Sequence, residues 1–319
     1  MTPHHVDAGA RNINSPTLWV GFLAGVLVVL AFDLYLSSRR GHGARFREAI
    51  GWSLFWIALS LAFGSWLWRR YGGEPGLEFF AGYLLEKSLS VDNLFVFVLL
   101  FRSFAIPPQY QHRVLFWGVL GAIVLRGGLI LAGVALVHRF HWILAIFGAI
   151  LVYTAWKVFF HDEAQDRRPE DSAIVRFVAR TLPMTRSIEG PRFFLRRGAG
   201  YCATPLLLAL VAAETTDLIF ALDSIPAVFA VTDDSFLVFS SNICALLGLR
   251  ALYFVVRGAL TRLRYLKPGL AGILLFVGLK MLLFKWVRLP TGTSLLIIAG
   301  ILALALLASW LRPAEGKPQ

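Results

Sequence analysis

The sequence has few charged residues and only two cysteines, and each shortage excludes a common kind of protein. Charged residues make up 16% of the 319 positions, whereas soluble globular proteins average about 25%. Cys202 and Cys244 form no CxxC pair, so a disulfide framework, a four-thiolate zinc site and a thioredoxin-like motif are unsupported. Residues 1–16 also lack the basic and then apolar order of a cleaved signal peptide, so we expect the first apolar run to remain as a membrane anchor.

Apolar residues are abundant and make a multi-span membrane protein the expected class. Hydrophobic residues account for 57% of the chain, and the mean hydropathy is +0.68. The net charge of +12 comes from basic clusters between apolar runs, as the positive-inside rule predicts for cytoplasmic loops. This distribution argues against a nucleic-acid partner. We therefore expect an all-α polytopic protein in the lipid bilayer, without enzymatic activity or a bound cofactor.

About nine apolar runs have lengths suited to membrane-spanning helices. They cover residues 17–36, 49–68, 79–101, 114–137, 142–160, 203–231, 235–256, 269–284 and 292–311. Pro226 lies inside the long sixth run. Because proline removes a backbone donor and clashes with the preceding turn, we expect a kink or break between Asp223 and Ala227. We expect the whole chain, residues 1–319, to form one membrane domain.

The loops between these runs predict the orientation of the chain. Lys and Arg are concentrated in one set of alternate loops, which places the N-terminus outside and the C-terminus in the cytoplasm. The longest loop, about 161–202, contains the run SAIVRFVARTL, whose apolar spacing predicts a short amphipathic helix on the membrane surface. The loop is interpreted either as a solvated linker or as a regulatory or partner-docking segment.

The stretch EKSLSVDNLFVF, from Glu86 to Phe97, places charged residues within an otherwise apolar run. An ionised carboxylate near the bilayer centre costs about 2.5–3.5 kcal/mol on insertion scales, so such residues generally face a bundle interior or an ion path. We therefore expect the remaining spans to supply partners for these side chains.

Polar landmarks of this run recur later in the chain at similar spacing. Four pairs correspond, namely Glu86 with Asp217, Asp92–Asn93 with Asp223–Ser224, Arg126 with Arg250, and Lys157 with Lys280. Each copy contains three spans, so the second copy is inverted, an arrangement that in secondary transporters places a site near the bilayer midplane. The first repeat covers about 79–160 and the second about 203–284, with peripheral helices in 17–68 and 292–311. The alternative is a chance resemblance between apolar helices.

Acidic, amide and hydroxyl side chains of the repeats are candidate metal ligands. They are Glu86, Asp92, Asn93, Glu214, Asp217, Asp223, Ser224 and Asn242. Residues seven apart share a helix face, and oxygen ligands suit Mn²⁺, Mg²⁺ and Ca²⁺. The alternative is that five basic residues pair with the acids and hold the bundle together, namely Lys87, Arg126, Lys157, Arg250 and Lys280. A mixture of both roles is also open, whereas Asp33 is interpreted as a helix-end polar residue rather than a gate.

Four segments resemble the TerC family of integral membrane proteins, which is named for tellurium resistance. They are EKSLSVDNLFVF, GVLGAIVLR, YCATPLLLALVAAETTDLIFALDSIPAVFAVT and SNICALLGLRALYF. The family belongs to a LysE-like transporter group, and its Alx-type members are similar to manganese exporters of the bacterial inner membrane. The resemblance implies export of Mn²⁺, which we expect to be coupled to protons. A non-transporting membrane partner and a stress or redox modulator linked to tellurite resistance remain alternatives, and protein partners are not indicated.

Overall fold

The computed structural model describes residues 13–39, 46–140, 142–160, 172–185, 188, 190–197, 200–259, 265–283, 286 and 289–311. The helices in this part of the chain are α1 (Pro16–Arg39), α2 (Phe46–Tyr71), α3 (Gly73–Ser103), α4 (Pro108–Arg139), α5 (Ile143–Phe160), α6 (Ala173–Thr181), α7 (Pro205–Phe229), α8 (Ser235–Leu246), α9 (Leu249–Ala259), α10 (Leu266–Leu282) and α11 (Thr291–Leu311). Two strands, β1 (Phe194–Arg197) and β2 (Gly200–Ala203), separate α6 from α7.

Several helices are long and apolar enough to cross a bilayer. Within the described residues there are six, namely α1, α2, α4, α5, α7 and α11, and the bent pair of α8 and α9 raises the number to as many as seven. The other two predicted spans correspond to α3, which carries the charged residues of the EKSLSVDN stretch, and to α10, which is 17 residues long. The multi-pass architecture is thus confirmed, whereas the count of nine spans and the inverted repeat stay predictions.

The long sixth span has no break between Asp223 and Ala227, whereas a kink there stays a prediction. Helix α7 continues through Pro226 to Phe229, because the proline lies in the last turn, where its missing donor affects only the end of the helix. An interruption falls in the next span, where α8 and α9 are bent by 47°. Gly248, between them, has a φ of +82°, and a Cβ there would lie 2.6 Å from Cβ of Trp56. Backbone conformation and packing therefore both require glycine at this bend.

Helices α3 and α8 lie side by side in the core. Every residue of α8 from Phe236 to Leu246 is buried, and α3 packs against α2, α7, α8 and α11. The two helices run parallel, since Gly82 contacts Ser241 and, further along both helices, Lys87 contacts Ala245. Glu86, Ser90 and Asn93 of α3 are buried, so these polar residues are enclosed by protein.

The most extensive helix contact joins α5 and α10, the third helices of the two predicted repeats. Gly148 meets Met281 and Leu282, whereas Gly278 meets Leu151 and Val152, so the two helices run antiparallel. Each glycine also lies against the backbone carbonyl of the other, at about 3 Å from an added Cβ. The small residues therefore allow the two backbones to approach closely, as is common in membrane helix packing.

The long loop contains a short helix and a small β-hairpin. The run predicted to be an amphipathic helix forms α6, and β1 and β2 form an antiparallel hairpin in which Phe194 pairs with Ala203 and Arg196 with Tyr201. The described elements outside this hairpin are all helices, in agreement with the all-α expectation. Residues 161–171 of the same loop lie outside the described residues.

Candidate ion-binding site

A buried guanidinium connects two acidic side chains from different helices. Arg126 of α4 donates from Nη1 to Oε2 of Glu86 at 2.7 Å, from Nε to Oδ2 of Asp217 at 3.0 Å and from Nη2 to Oδ1 of Asp217 at 2.8 Å. The side chains of Arg126 and Glu86 are each 1% exposed, and that of Asp217 is 6% exposed. The bidentate geometry toward Asp217 fixes the guanidinium plane. Arg126 therefore joins α3 and α7, which carry corresponding acids of the two predicted repeats.

Acidic groups outnumber this arginine. Glu214 lies three residues before Asp217 on α7, close enough for the two negative charges to interact. Its carboxylate faces Gly121 of α4, where an added Cβ would lie 2.2 Å from Oε1. Oε1 of Glu86 and Oε2 of Glu214 are buried and find no hydrogen-bond partner among the described residues. When all three carboxylates are ionised, the single guanidinium leaves a net negative charge inside the protein, which a bound cation or protons must neutralise.

Uncharged polar side chains, whose oxygens could bind a cation, lie further along the same helix faces. Asn93 follows Glu86 by two turns on α3, and Ser224 follows Asp217 by two turns on α7, so each pair shares a face. Both are buried, and Asn242 of α8 is fully buried. Within the described chain, Oγ of Ser224 and both amide atoms of Asn242 have no hydrogen-bond partner. These residues therefore place unused polar atoms in the interior of the bundle.

Asp223, another of the predicted acids, does not join Arg126. Oδ1 of Asp223 accepts a hydrogen bond of 3.0 Å from Oγ1 of Thr154 on α5. Six residues turn a continuous helix by about 600°, so Asp223 points away from the face of Asp217. Asp92 lies on α3, but its side chain is outside the described residues. Where side chains are described, no group of three or more His, Cys, Asp or Glu residues is arranged to hold a metal.

Two basic residues make contacts other than those predicted. Nζ of Lys87 donates to the carbonyl of Ala245 at 3.2 Å rather than to an acid, because the carbonyls at the end of α8 lack intrahelical partners and carry partial negative charge. Arg250 pairs with Asp33 of α1 rather than with the central acids. Asp33, which the sequence indicated as a helix-end polar residue, thus neutralises a basic group next to the bend at Gly248.

The last two basic residues lie on the antiparallel pair of α5 and α10. Lys157 and Lys280 are both half-buried, each in the last turn of its helix. The charge of Lys280 interacts with that of Glu78, and Oε2 of Glu78 accepts a hydrogen bond of 2.7 Å from Oγ1 of Thr232. This interaction associates Lys280 with the N-terminal end of α3 rather than with Arg126.

Three features of the site were missed by the analysis of the sequence. Gly121 makes room for Glu214, Thr154 holds Asp223, and Gly248 bends the seventh span. Gly248 directly precedes Leu249 and Arg250, and a glycine inside an apolar run is a sequence signal for a bend. The bend was instead predicted at Pro226. No comparable pattern marked Thr154, whose role depends on the packing of α5 against α7.

Comparison with known proteins agrees with the integral membrane architecture. Residues 71–317 match the model of the integral membrane protein TerC family. The membrane protein STKORF319 of Myxococcus xanthus is 49% identical over 301 residues, covering 94% of both chains. An Escherichia coli K12 protein named "Putative membrane-bound redox modulator Alx" is 44% identical over 317 residues, covering 96% of this chain and 98% of its own. A Rickettsia bellii membrane protein is 36% identical over 294 residues, covering 92% and 97%. No solved structure matches.

Proposed function

The chain belongs to the TerC family of integral membrane proteins, and from this premise we propose that it exports Mn²⁺ across the bacterial inner membrane in exchange for protons. The observation that carries the proposal is the buried network in which Arg126 neutralises only part of the charge capacity of Glu86, Asp217 and Glu214. Oxygen ligands of this kind suit a hard divalent cation. In the proposed orientation the N-terminus is outside and the C-terminus cytoplasmic.

Arg126 acts in this proposal as a tethered cation in the empty site. A divalent ion that approaches Glu86 and Asp217 competes with the guanidinium for the same oxygens, and the free oxygens Oε1 of Glu86 and Oε2 of Glu214 provide the first points of attachment. Asn93 and Ser224 are proposed as neutral ligands, and Asp92, Asp223 and Asn242 as further ligands in the loaded state. When the ion leaves, protons take its place on the crowded carboxylates, because like charges held close together resist simultaneous ionisation.

The helix arrangement supports a rocking movement of two halves. Arg126 holds α4 of the first proposed repeat against α7 of the second, and α5 and α10 pack antiparallel through glycines. The bend between α8 and α9 also fits transporters, in which interrupted helices surround the site and repeats rock around it. We propose that release of Arg126 from one acid loosens the contact between the halves and thereby couples ion binding to the movement.

Uptake of metal into inside-out membrane vesicles tests the proposal. Vesicles that contain the protein should accumulate Mn²⁺ in preference to Mg²⁺, Ca²⁺ and Zn²⁺, and uptake should be faster when the vesicle interior is more acidic than the medium. Vesicles from cells without the protein provide the control. Absence of metal uptake by correctly inserted protein would contradict export and favour a non-transporting role as a membrane partner.

The name of the enterobacterial relatives favours a second candidate, a redox modulator. Cys202 lies half-buried on β2 and Cys244 lies buried on α8, and both are free thiols. A thiol-based function requires at least one of them. The double variant Cys202→Ala/Cys244→Ala therefore separates the candidates, because an exporter should retain metal transport whereas a thiol-based modulator should lose its activity.

A further inference from the structure

Helix α6 has an apolar face that the described chain leaves uncovered. Ile174 is 48% exposed and Phe177 is 68% exposed, and three residues of spacing place them on one side of the helix. Val175 points in a different direction and is buried in the core next to α7. One apolar side chain therefore fixes α6 to the protein, while two larger ones extend away from it.

The hairpin next to α6 also exposes aromatic side chains, together with an arginine. Phe194 and Tyr201 are 50% and 68% exposed. Side chains alternate along a strand, and directly paired residues share a face, so Phe194, Arg196 and Tyr201 lie on the outer face, opposite the buried Leu195. The outer face thus contains two exposed aromatic rings and an exposed arginine.

Backbone hydrogen bonds join the segment that follows α6 to the hairpin. The amide of Thr185 donates to the carbonyl of Ala203 at 2.9 Å, and the amide of Ala203 donates to the carbonyl of Pro183 at 2.8 Å. Pro205 then begins α7, which is long and apolar enough to cross the membrane. The hairpin therefore adjoins the beginning of a spanning helix, where lipid headgroups are expected.

Arginines flank the apolar face of α6. Arg176 and Arg180 are both exposed. Arg180, three residues after Phe177, borders the apolar face, and the described part of α6 carries no acidic residue. A short helix that combines an aromatic and aliphatic face with a neighbouring exposed arginine is suited to the interface of a membrane that contains anionic lipids.

We propose that α6 and its adjoining hairpin form a binding surface for anionic phospholipid headgroups of the bilayer in which the chain itself resides. Ile174 and Phe177 insert among the upper acyl chains, and Arg176 and Arg180 contact the phosphates. The surface lies beside the first turn of α7, the helix that carries Asp217. This surface is independent of the proposed ion chemistry, because none of its residues belongs to the buried network.

Spin labels on α6 test the proposal in the full-length protein. Phe177→Cys and, as a matched control, Ala179→Cys are introduced into a Cys202→Ser/Cys244→Ser background, and both proteins are reconstituted in phosphatidylglycerol nanodiscs. The label at 177 should be accessible to oxygen and protected from a water-soluble nickel chelate, whereas the label at 179 should be accessible to nickel. In phosphatidylcholine nanodiscs, protection at 177 should decrease.

Charge removal provides the second arm of the experiment. Because each arginine near an anionic surface contributes about 1 kcal/mol, Arg180→Gln should lower the ratio of inserted to water-exposed label at 177 about fivefold. Equal nickel accessibility at 177 and 179 in phosphatidylglycerol would overturn the proposal, because the face would then point into water. Protection of 177 from both oxygen and nickel would also overturn it, because residues 161–171, a second copy or another protein would then cover the face.

Discussion

Replacing Arg126 by methionine should destabilise the protein more than almost any other single substitution in the bundle. The change removes three hydrogen bonds of 2.7–3.0 Å and leaves Glu86 and Asp217 without their shared counter-charge. Removing one partner from a buried ion pair costs about 3–5 kcal/mol. For a soluble chain of 150–250 residues, each kcal/mol shifts the melting temperature by about 2–4 °C. We therefore expect the apparent melting temperature in detergent to fall by roughly 10 °C.

A compensated variant distinguishes lost charge balance from lost packing. Glu86→Gln/Arg126→Met/Asp217→Asn removes the arginine together with both of its acids, so most of the stability should return while Mn²⁺ transport remains absent. Arg126→Lys should be intermediate, because it keeps the charge and loses the bidentate contact. Fluorescence-detected melting of purified protein measures all three. The reasoning is refuted if Arg126→Met melts with the unmodified protein, or if the triple variant is no more stable than Arg126→Met.

Two further predictions concern packing and topology. Gly121→Ala should displace the carboxylate of Glu214 and weaken Mn²⁺ binding in calorimetric titrations, because the new Cβ would lie 2.2 Å from Oε1. Gly128→Ala on the same helix is the control and should bind normally, because its Cβ meets nothing within 4 Å. Equal loss of binding in both variants would show that Glu214 is not involved. A reporter enzyme fused after Gln165 should read cytoplasmic and one fused at Asp234 external, and the reverse result at both sites would invalidate the charge-based orientation.

Composition and hydropathy were sufficient to predict a multi-pass membrane protein, because apolar runs of spanning length depend on sequence alone. The family resemblance was likewise predictable from the acidic motifs, which recur in order. That Glu86 and Asp217 would be paired inside the protein also followed from the sequence, since ionisable residues at membrane depth need a partner. The sequence did not specify which of the basic residues pairs with these two acids, and the structure shows that Arg126 pairs with both.

The partners of the other basic residues depended on packing that the sequence does not specify. Lys87 lies beside Glu86 in the chain, yet it reaches the carbonyl of Ala245 because α8 ends there at the bend. Arg250 corresponds to Arg126 in the proposed repeat but contacts Asp33, which belongs to α1 and has no counterpart in the repeat. Peripheral helices thus break the symmetry that a repeat argument assumes.

The most direct test of the central claim is Mn²⁺ transport by proteoliposomes containing Asp92→Asn or Asp223→Asn. Each substitution preserves size and a carbonyl oxygen but removes a charge, so each should weaken Mn²⁺ binding and stop transport while the protein still inserts in the membrane. Asp233→Asn, at an exposed aspartate between α7 and α8, is the matched control and should transport normally. If Asp92→Asn and Asp223→Asn both transport Mn²⁺ at the unmodified rate and with the same pH dependence, the acidic repeat is structural and the proposed export mechanism is wrong.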